Sequence, residues 1–205
     1  MEGQHLRHVY WIGGGSGGGK STIARRLAAE HGLRLYSTDD VMADHGRRST
    51  AADSPLLSAF IGMDMDERWV NRSPRRMFET FHWFRGEGFR LIVDDLLRLP
   101  PGPGVVVEGF RLLPHLVRPL LAEPPRAVWL LPSAGFRRAA FDSRGTTWQI
   151  ARKTSDPERA LRNLLERDRI FTDWLRAEVH GLPAIEVERQ SEDELLAEVT
   201  RIFGL

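Results

Sequence analysis

The 205-residue chain has a formal net charge of +1, is 41% hydrophobic and 28% charged, and contains no cysteine. This balance suits one soluble globular domain with a real core. It gives no support to a general nucleic-acid or membrane surface, and the lack of cysteine excludes disulfides and thiolate metal sites. Residues 1–8 are polar, without an apolar signal core, and no run approaches the roughly 18 apolar residues of a membrane span, so a cytoplasmic location is expected.

Val9, Tyr10, Trp11 and Ile12 form a short β-favouring run, predicted as a buried first strand. The strand runs into Gly13-Gly14-Gly15-Ser16-Gly17-Gly18-Gly19-Lys20-Ser21. Here Gly14, Gly19, Lys20 and Ser21 fit G-x-x-x-x-G-K-[ST] without mismatch. Glycines let such a loop take positive φ and approach a ligand. The N–H groups of the loop and helix start then converge on phosphate oxygens. Lys20 is expected to reach β- and γ-phosphates and the Ser21 hydroxyl to bind Mg²⁺, with Gly14, Gly15, Ser16, Gly17, Gly18, Gly19 and Thr22 lining the nucleotide cradle. The helix that follows carries an apolar stripe of Ile23, Ala24, Leu27 and Ala28 and ends at Gly32, flanks that a flexible glycine linker lacks. Among 29 lysines and arginines only Lys20 and Lys153 are lysines, and one of them sits where the motif needs it.

Leu33 to Tyr36 reads as a second strand leading into Ser37-Thr38-Asp39-Asp40. Ligands of α/β sheets lie beyond the carboxyl ends of the strands. One of Asp39 and Asp40 is expected to orient an acceptor hydroxyl or take its proton, the other to act through Mg²⁺. The competing role is helix capping by Thr38 or Asp39 for a helix starting near Val41. Residues 42–88 are irregular and mix Trp69, Phe78, Phe81, Trp83 and Phe84 with Arg68, Arg72, Arg75, Arg76 and Arg85. Taken singly, most of these read as packing or solvated residues. As a segment they are the natural place for acceptor recognition.

Leu91-Ile92-Val93-Asp94-Asp95 looks like a strand ending in acids, but Phe89, Ile92, Val93, Leu96 and Leu97 have helical spacing, so a helix is predicted over 87–99. The breaker 100–104 precedes β-branched 104–108, the third strand, with Glu108 at its carboxyl end as a candidate for Mg²⁺-bound water or the acceptor. A helix is predicted over 112–121, a fourth strand over 127–131 and a helix over 133–142. Residues 143–157 read as a lid, and Ser155-Asp156-Pro157-Glu158 opens a long helix bearing Arg159, Arg162, Arg167 and Arg169. Lid arginines neutralise charge on a transferring phosphoryl group, and Arg144, Arg152 and Arg162 are the candidates. Alternatively such arginines are solvated and form i,i+4 pairs such as Glu158 with Arg162. A fifth strand over 184–187 and a capping box at Ser191 and Glu194 close the pattern: strands alternating with helices, an α/β doubly wound parallel sheet.

The loop at Gly14 to Ser21, the acids after strand two, Val105 to Gly109 and the arginine-rich lid together resemble the P-loop small-molecule and nucleotide kinases. The acidic element looks like the acceptor-binding Asp motif of shikimate kinase and the chloramphenicol phosphotransferase group, with Asp39 at the matching position. Shikimate kinase has an earlier Asp where this chain has Ser37, so that metal contact is absent. The lid and following helix look like those of adenylate kinase. This resemblance implies sheet order 2-3-1-4-5, ATP as donor and Mg²⁺ as cofactor. The expected activity is γ-phosphoryl transfer to the hydroxyl of a small organic acceptor, with Asp39 as base. Alternatives are a nucleoside monophosphate kinase using Arg47, Arg48, Arg72 or Arg75 on the acceptor phosphate, a nucleotide-dependent switch, and a nucleic-acid-end kinase, which the near-zero charge disfavours.

Overall fold

In the computed structural model, which describes residues 5–121, 124–144 and 146–205, five strands form one parallel sheet. They are β1 (Val9–Gly14), β2 (Arg34–Ser37), β3 (Val105–Glu108), β4 (Ala127–Pro132) and β5 (Ala184–Val187), in the expected order β2-β3-β1-β4-β5. β1, β3 and β4 are buried along their whole length, as central strands covered on both faces must be. Side chains alternate across each strand and feed two cores. Val9, Trp11, Val105, Val107 and Trp129 belong to one, with Ile92 and Leu96 of α5 (Phe89–Arg98) and Phe171 and Leu175 of α9 (Pro157–Glu178). Tyr10, Ile12, Val106, Val128 and Leu130 belong to the other, with Ile23 and Leu27 of α1 (Lys20–His31) and Leu195 and Val199 of α10 (Glu192–Phe203). Each such fully buried aliphatic side chain contributes about 1.5–3 kcal/mol.

α5 confirms the helical reading of the acid-tipped run, with Phe89, Ile92, Val93 and Leu96 buried. The Ser191 capping box is formed, both halves present. Two expectations need correction. The helix predicted over 112–121 is the single turn α6 (Pro114–Val117) followed by a 3₁₀ turn, Arg118–Leu120. Pro119 has no N–H to continue the ladder, and Leu112 and Leu113 are both fully buried rather than striped. At the long helix the cap is Asp156, which accepts from the Arg159 N–H at 3.0 Å, and not Ser155. Pro157 occupies the first helical position, which fixes the cap one residue earlier. The Ser155 N–H donates instead to Asp66.

Residues 42–88 fold as α2 (Met42–Arg48), α3 (Pro55–Ile61), a π turn (Glu67–Asn71), α4 (Pro74–Thr80) and a 3₁₀ turn (His82–Arg85). α2 starts after Val41 without the side-chain cap expected from Thr38 or Asp39. Trp69 and Val70 seal this segment onto Ala160, Leu161 and Leu164 of α9, together with Ala151 of α8 (Thr146–Ala151), the helix within the stretch read as a lid. α7 (Ala134–Arg144) precedes it. Among the described residues no helix is long and apolar enough to cross a membrane.

Candidate functional site

Strand register builds the site. Ile12 lies beside Glu108 and Ser37 beside Glu108, so the ends of β1, β2 and β3 meet at one edge of the sheet. The glycine loop springs from that edge. Gly14 has φ +128°, and a Cβ there would sit 2.1 Å from the Leu130 carbonyl oxygen. Gly19 takes φ +83° to turn the chain into α1, a conformation that only glycine adopts cheaply.

Lys20 opens α1, is 8% exposed, and donates from Nζ to the Gly15 carbonyl at 2.7 Å. Its charge therefore lies along the loop. Ser21 donates to Glu108 Oε2 at 3.1 Å, and Ser37 donates to Glu108 Oε1 at 2.7 Å. Glu108 is only 2% exposed and is the acid that joins the loop to β2. A buried carboxylate flanked by two hydroxyls is a hard-oxygen set, the chemistry that suits Mg²⁺. Among the described residues no cluster of three or more acids and histidines could hold a metal. An ion held mainly by phosphates and waters needs none. Where shikimate kinase has its earlier Asp, the Ser37 hydroxyl meets Glu108.

Asp39 and Asp40 are exposed just beyond β2. Loss of hydration pushes the Asp39 carboxyl above the ordinary range; Lys20 opposes the rise, while Glu108 and, less strongly, Asp40 add to it. The residue is more than a third exposed, so solvent moderates the effect.

Two buried arginines that sequence reading missed support this edge. Arg137 is 2% exposed and donates to the Ser16 carbonyl at 3.3 Å, the Pro132 carbonyl at 3.4 Å and Thr172 Oγ1. Burial lowers its pKa. It places a positive charge against the loop backbone. Arg111, also 2% exposed, donates to the Thr38 carbonyl at 3.3 Å, the Gly88 carbonyl at 3.1 Å and His45 Nδ1 at 3.0 Å, and lies 4.0 Å over the Trp83 ring. Burial pulls its pKa down to about 10, against the charges of Tyr36, Asp39 and Asp95. His45 closes the chain by pairing its Nε2 with Asp95 at 2.9 Å. Periodicity singles out neither arginine: Arg138, beside Arg137, is exposed on the same helix, and Arg111 lies in an irregular turn.

Arg152 is exposed, and Arg162 is exposed and pairs with Glu158 at 3.7 Å. Arg144 ends α7, and its side chain lies outside the described residues. From the same arginine set, Arg167 is 8% exposed and bound to Asp168 at 2.7 Å.

Two hollows flank the loop. One, of about 310 Å³, is lined by Gly17, Gly19, Thr22, Phe136, Gln190 and Leu195. The other, of about 260 Å³, lies between the 42–88 segment and α9, and includes Ser16, Phe60, Trp69, Phe81, Phe84 and Arg167. The segment read as the place for acceptor recognition thus supplies most of a cavity wall, while Phe78 is core.

The chain is 27% identical over 197 residues to 2-phosphoglycerate kinase of Thermococcus kodakarensis, a match that covers 91% of this chain. It spans 63% of that curated relative's length. No family model matches. Among solved structures, TT1252 from Thermus thermophilus aligns with TM-score 0.53 and 20% identity over 96% of this chain and 97% of its own. Deoxyadenosine kinase of M. mycoides, solved with dATP, aligns with TM-score 0.50 and 10% identity over 96% of this chain and all of its own. These likenesses show a P-loop kinase-like fold.

Proposed function

We propose that this protein is an ATP-dependent phosphotransferase that moves the γ-phosphoryl group to a hydroxyl of a small organic acceptor. The observation that carries this reading is the meeting, at one sheet edge, of Lys20 on the loop, the Ser21–Glu108–Ser37 oxygen set and Asp39 within electrostatic reach of Lys20. The loop N–H groups and Lys20 take the β- and γ-phosphates. The hollow beside Thr22 and Phe136 takes the nucleoside. Ser21, with Glu108 and Ser37 behind it, would hold Mg²⁺, which when bound neutralises charge on the phosphates. The acceptor oxygen attacks Pγ from the side opposite the leaving group. Its bond to Pγ forms as the bond from Pγ to the β-phosphate oxygen breaks, ADP departs, and the hydroxyl proton passes to the Asp39 carboxylate. Arg137 acts as a positioning residue through the Ser16 carbonyl.

A phosphorylated acid is the second reading, favoured by the similarity to 2-phosphoglycerate kinase. The arginines available for such an acceptor are already engaged. Arg47 pairs with Asp44, Arg48 with Asp44 and Asp95, and Arg75 with Glu79, while Arg72 donates to two carbonyls and Thr80.

Coupled ADP release tests the proposal with Mg²⁺-ATP across sugars, hydroxylated antibiotics, nucleosides and 2-phosphoglycerate. The expected result is acceptor-dependent turnover that Lys20→Ala lowers by about 10²–10³-fold. Slow hydrolysis indifferent to every acceptor would count against a kinase and for a nucleotide-dependent switch.

A further inference from the structure

The cavity between the 42–88 segment and α9 has a largely aromatic wall. Phe60 packs edge-on against Trp69 at 5.5 Å and against Phe81 at 5.6 Å, and Phe81 meets Phe84 edge-on at 4.8 Å. Such ring clusters present π faces and edges to a guest ring. Ile150, 39% exposed on α8, adds an apolar flank on the side read as the lid.

The polar content of this wall is small and specific. Arg167 lies 4.7 Å over Phe81 and 5.2 Å from the rings of Trp69 and Phe84. Its charge is balanced by Asp168, yet its buried Nη1 has no hydrogen-bond partner. His82 is 3% exposed, and its buried Nδ1 is likewise unpartnered. A buried polar atom without a partner is costly, and a bound ligand is one way to satisfy it. Ser16, which also lines the cavity, belongs to the phosphate loop itself.

A small polyanion is a poor match for this lining. Arg167 is the one arginine among the described lining residues, and it is already ion-paired. Arg68, behind Phe60, donates to the carbonyls of Phe60 and Ile61. A planar ring is a good match, because it exchanges water for aromatic contact on several sides. At about 260 Å³ the cavity sits just under the usual ligand-site range of roughly 300–1,000 Å³, which suits one or two rings.

We infer that the acceptor is a ring-bearing alcohol: an aromatic or heteroaromatic ring seated among Phe60, Trp69, Phe81 and Phe84, with its hydroxyl toward Ser16 and the phosphate loop. A hydrogen-bonding group on the ring side meets Arg167 or His82. The inference deepens the phosphotransferase reading and rests on it for the fate of the hydroxyl, which becomes a phosphate ester as ADP leaves.

The test separates binding from turnover. Calorimetric titration and coupled ADP release are run with 2-phenylethanol, thymidine and adenosine, against glycerol and 2-phosphoglycerate, in the presence of Mg²⁺ and, for binding, a non-hydrolysable ATP analogue. Wild type is compared with Phe60→Ala and with Ile150→Ala, a change at an exposed position that leaves the core intact. The expected result is saturable binding and turnover for at least one ring-bearing alcohol. Each variant should raise that acceptor's KM, about tenfold for Phe60→Ala, while the KM for ATP stays unchanged. Ring-bearing alcohols that bind in a Phe60-dependent manner without any ADP release would uphold the ring site and overturn the phosphotransferase reading. Turnover confined to glycerol or 2-phosphoglycerate would overturn the inference and leave phosphoryl transfer standing. The absence of both binding and turnover for every ring-bearing alcohol would also overturn it.

Discussion

Replacing Glu108 by glutamine separates what the site needs from what the fold needs. The carboxylate is 2% exposed and held by two hydroxyl donors, Ser21 at 3.1 Å and Ser37 at 2.7 Å. Hydrogen bonds to a charged group are worth about 1.5–3 kcal/mol each, roughly twice their neutral counterparts. Glutamine keeps the shape and an acceptor oxygen, so about half of that stabilisation is lost, on the order of 1.5–3 kcal/mol for the pair. Against this, the variant no longer buries a charge, whose desolvation costs several kcal/mol. The two changes nearly cancel, and the expected stability change is within about 1 kcal/mol, or roughly 2–4 °C in Tm for a chain of this size. Catalysis has no such compensation. The negative charge behind Ser21 is gone, so the Mg²⁺ concentration at half-maximal rate should rise and kcat should fall by about 10²-fold, near 2.7 kcal/mol. Thermal melts and ADP-release kinetics across a Mg²⁺ titration measure both. A variant with an unchanged Mg²⁺ midpoint and unchanged kcat would refute the assignment of Glu108 to the site. A loss of more than about 3 kcal/mol of stability would make the residue a structural brace instead.

Asp39→Asn is expected to lower kcat by about 10²–10⁴-fold with little change in ATP affinity, measured by steady-state kinetics. The folded carboxyl keeps its proton to higher pH than an ordinary aspartate, so the wild-type rate should climb with pH through that raised value and lose this limb in the variant. The stability sign is opposite to that of a salt-bridged acid: the unfavourable charge is present above the raised pKa and disappears below it, so Asp39→Asn should match or exceed wild type at neutral pH. Arg137→Ala leaves the Ser16 and Pro132 carbonyls and Thr172 without their buried donor, and a loss of about 2–4 kcal/mol with weakened ATP binding is expected from denaturant titration and calorimetry. His45 is fully buried among Asp95, Arg48 and Arg111, and burial lowers its pKa, so the unfolded chain binds its proton first as pH falls. Stability should therefore drop as pH falls through about 6.5, the unfolded value, and His45→Asn should flatten that part of the curve; an unchanged acid limb would show that another group controls it.

Much of this protein is written in local sequence. The loop from Gly14 to Ser21 stands out in the sequence because a phosphate-binding loop requires glycines at fixed spacing and a helix that follows. The helical reading of Leu91 to Asp95 and the Ser191 cap follow from contacts within one or two turns. Alternation of five strands with helices also determines the parallel sheet, because crossovers are right-handed and cover both faces. Only the tertiary structure decided the rest. Ser37 meets Glu108 across 71 residues of chain and Arg137 meets Ser16 across 121, and no periodicity reports such pairings. Arginine is equally at home on a solvated helix face and beneath a loop, so burial alone distinguishes Arg137 from Arg138 and Arg167 from Arg162. The 42–88 segment was legible as a place for acceptor recognition, but not which of its aromatic residues line a cavity, as Phe60 and Trp69 do, and which join the core, as Phe78 does. Their destination depended on where α9 docks, and burial of apolar area, being non-directional, encodes no partner in the sequence.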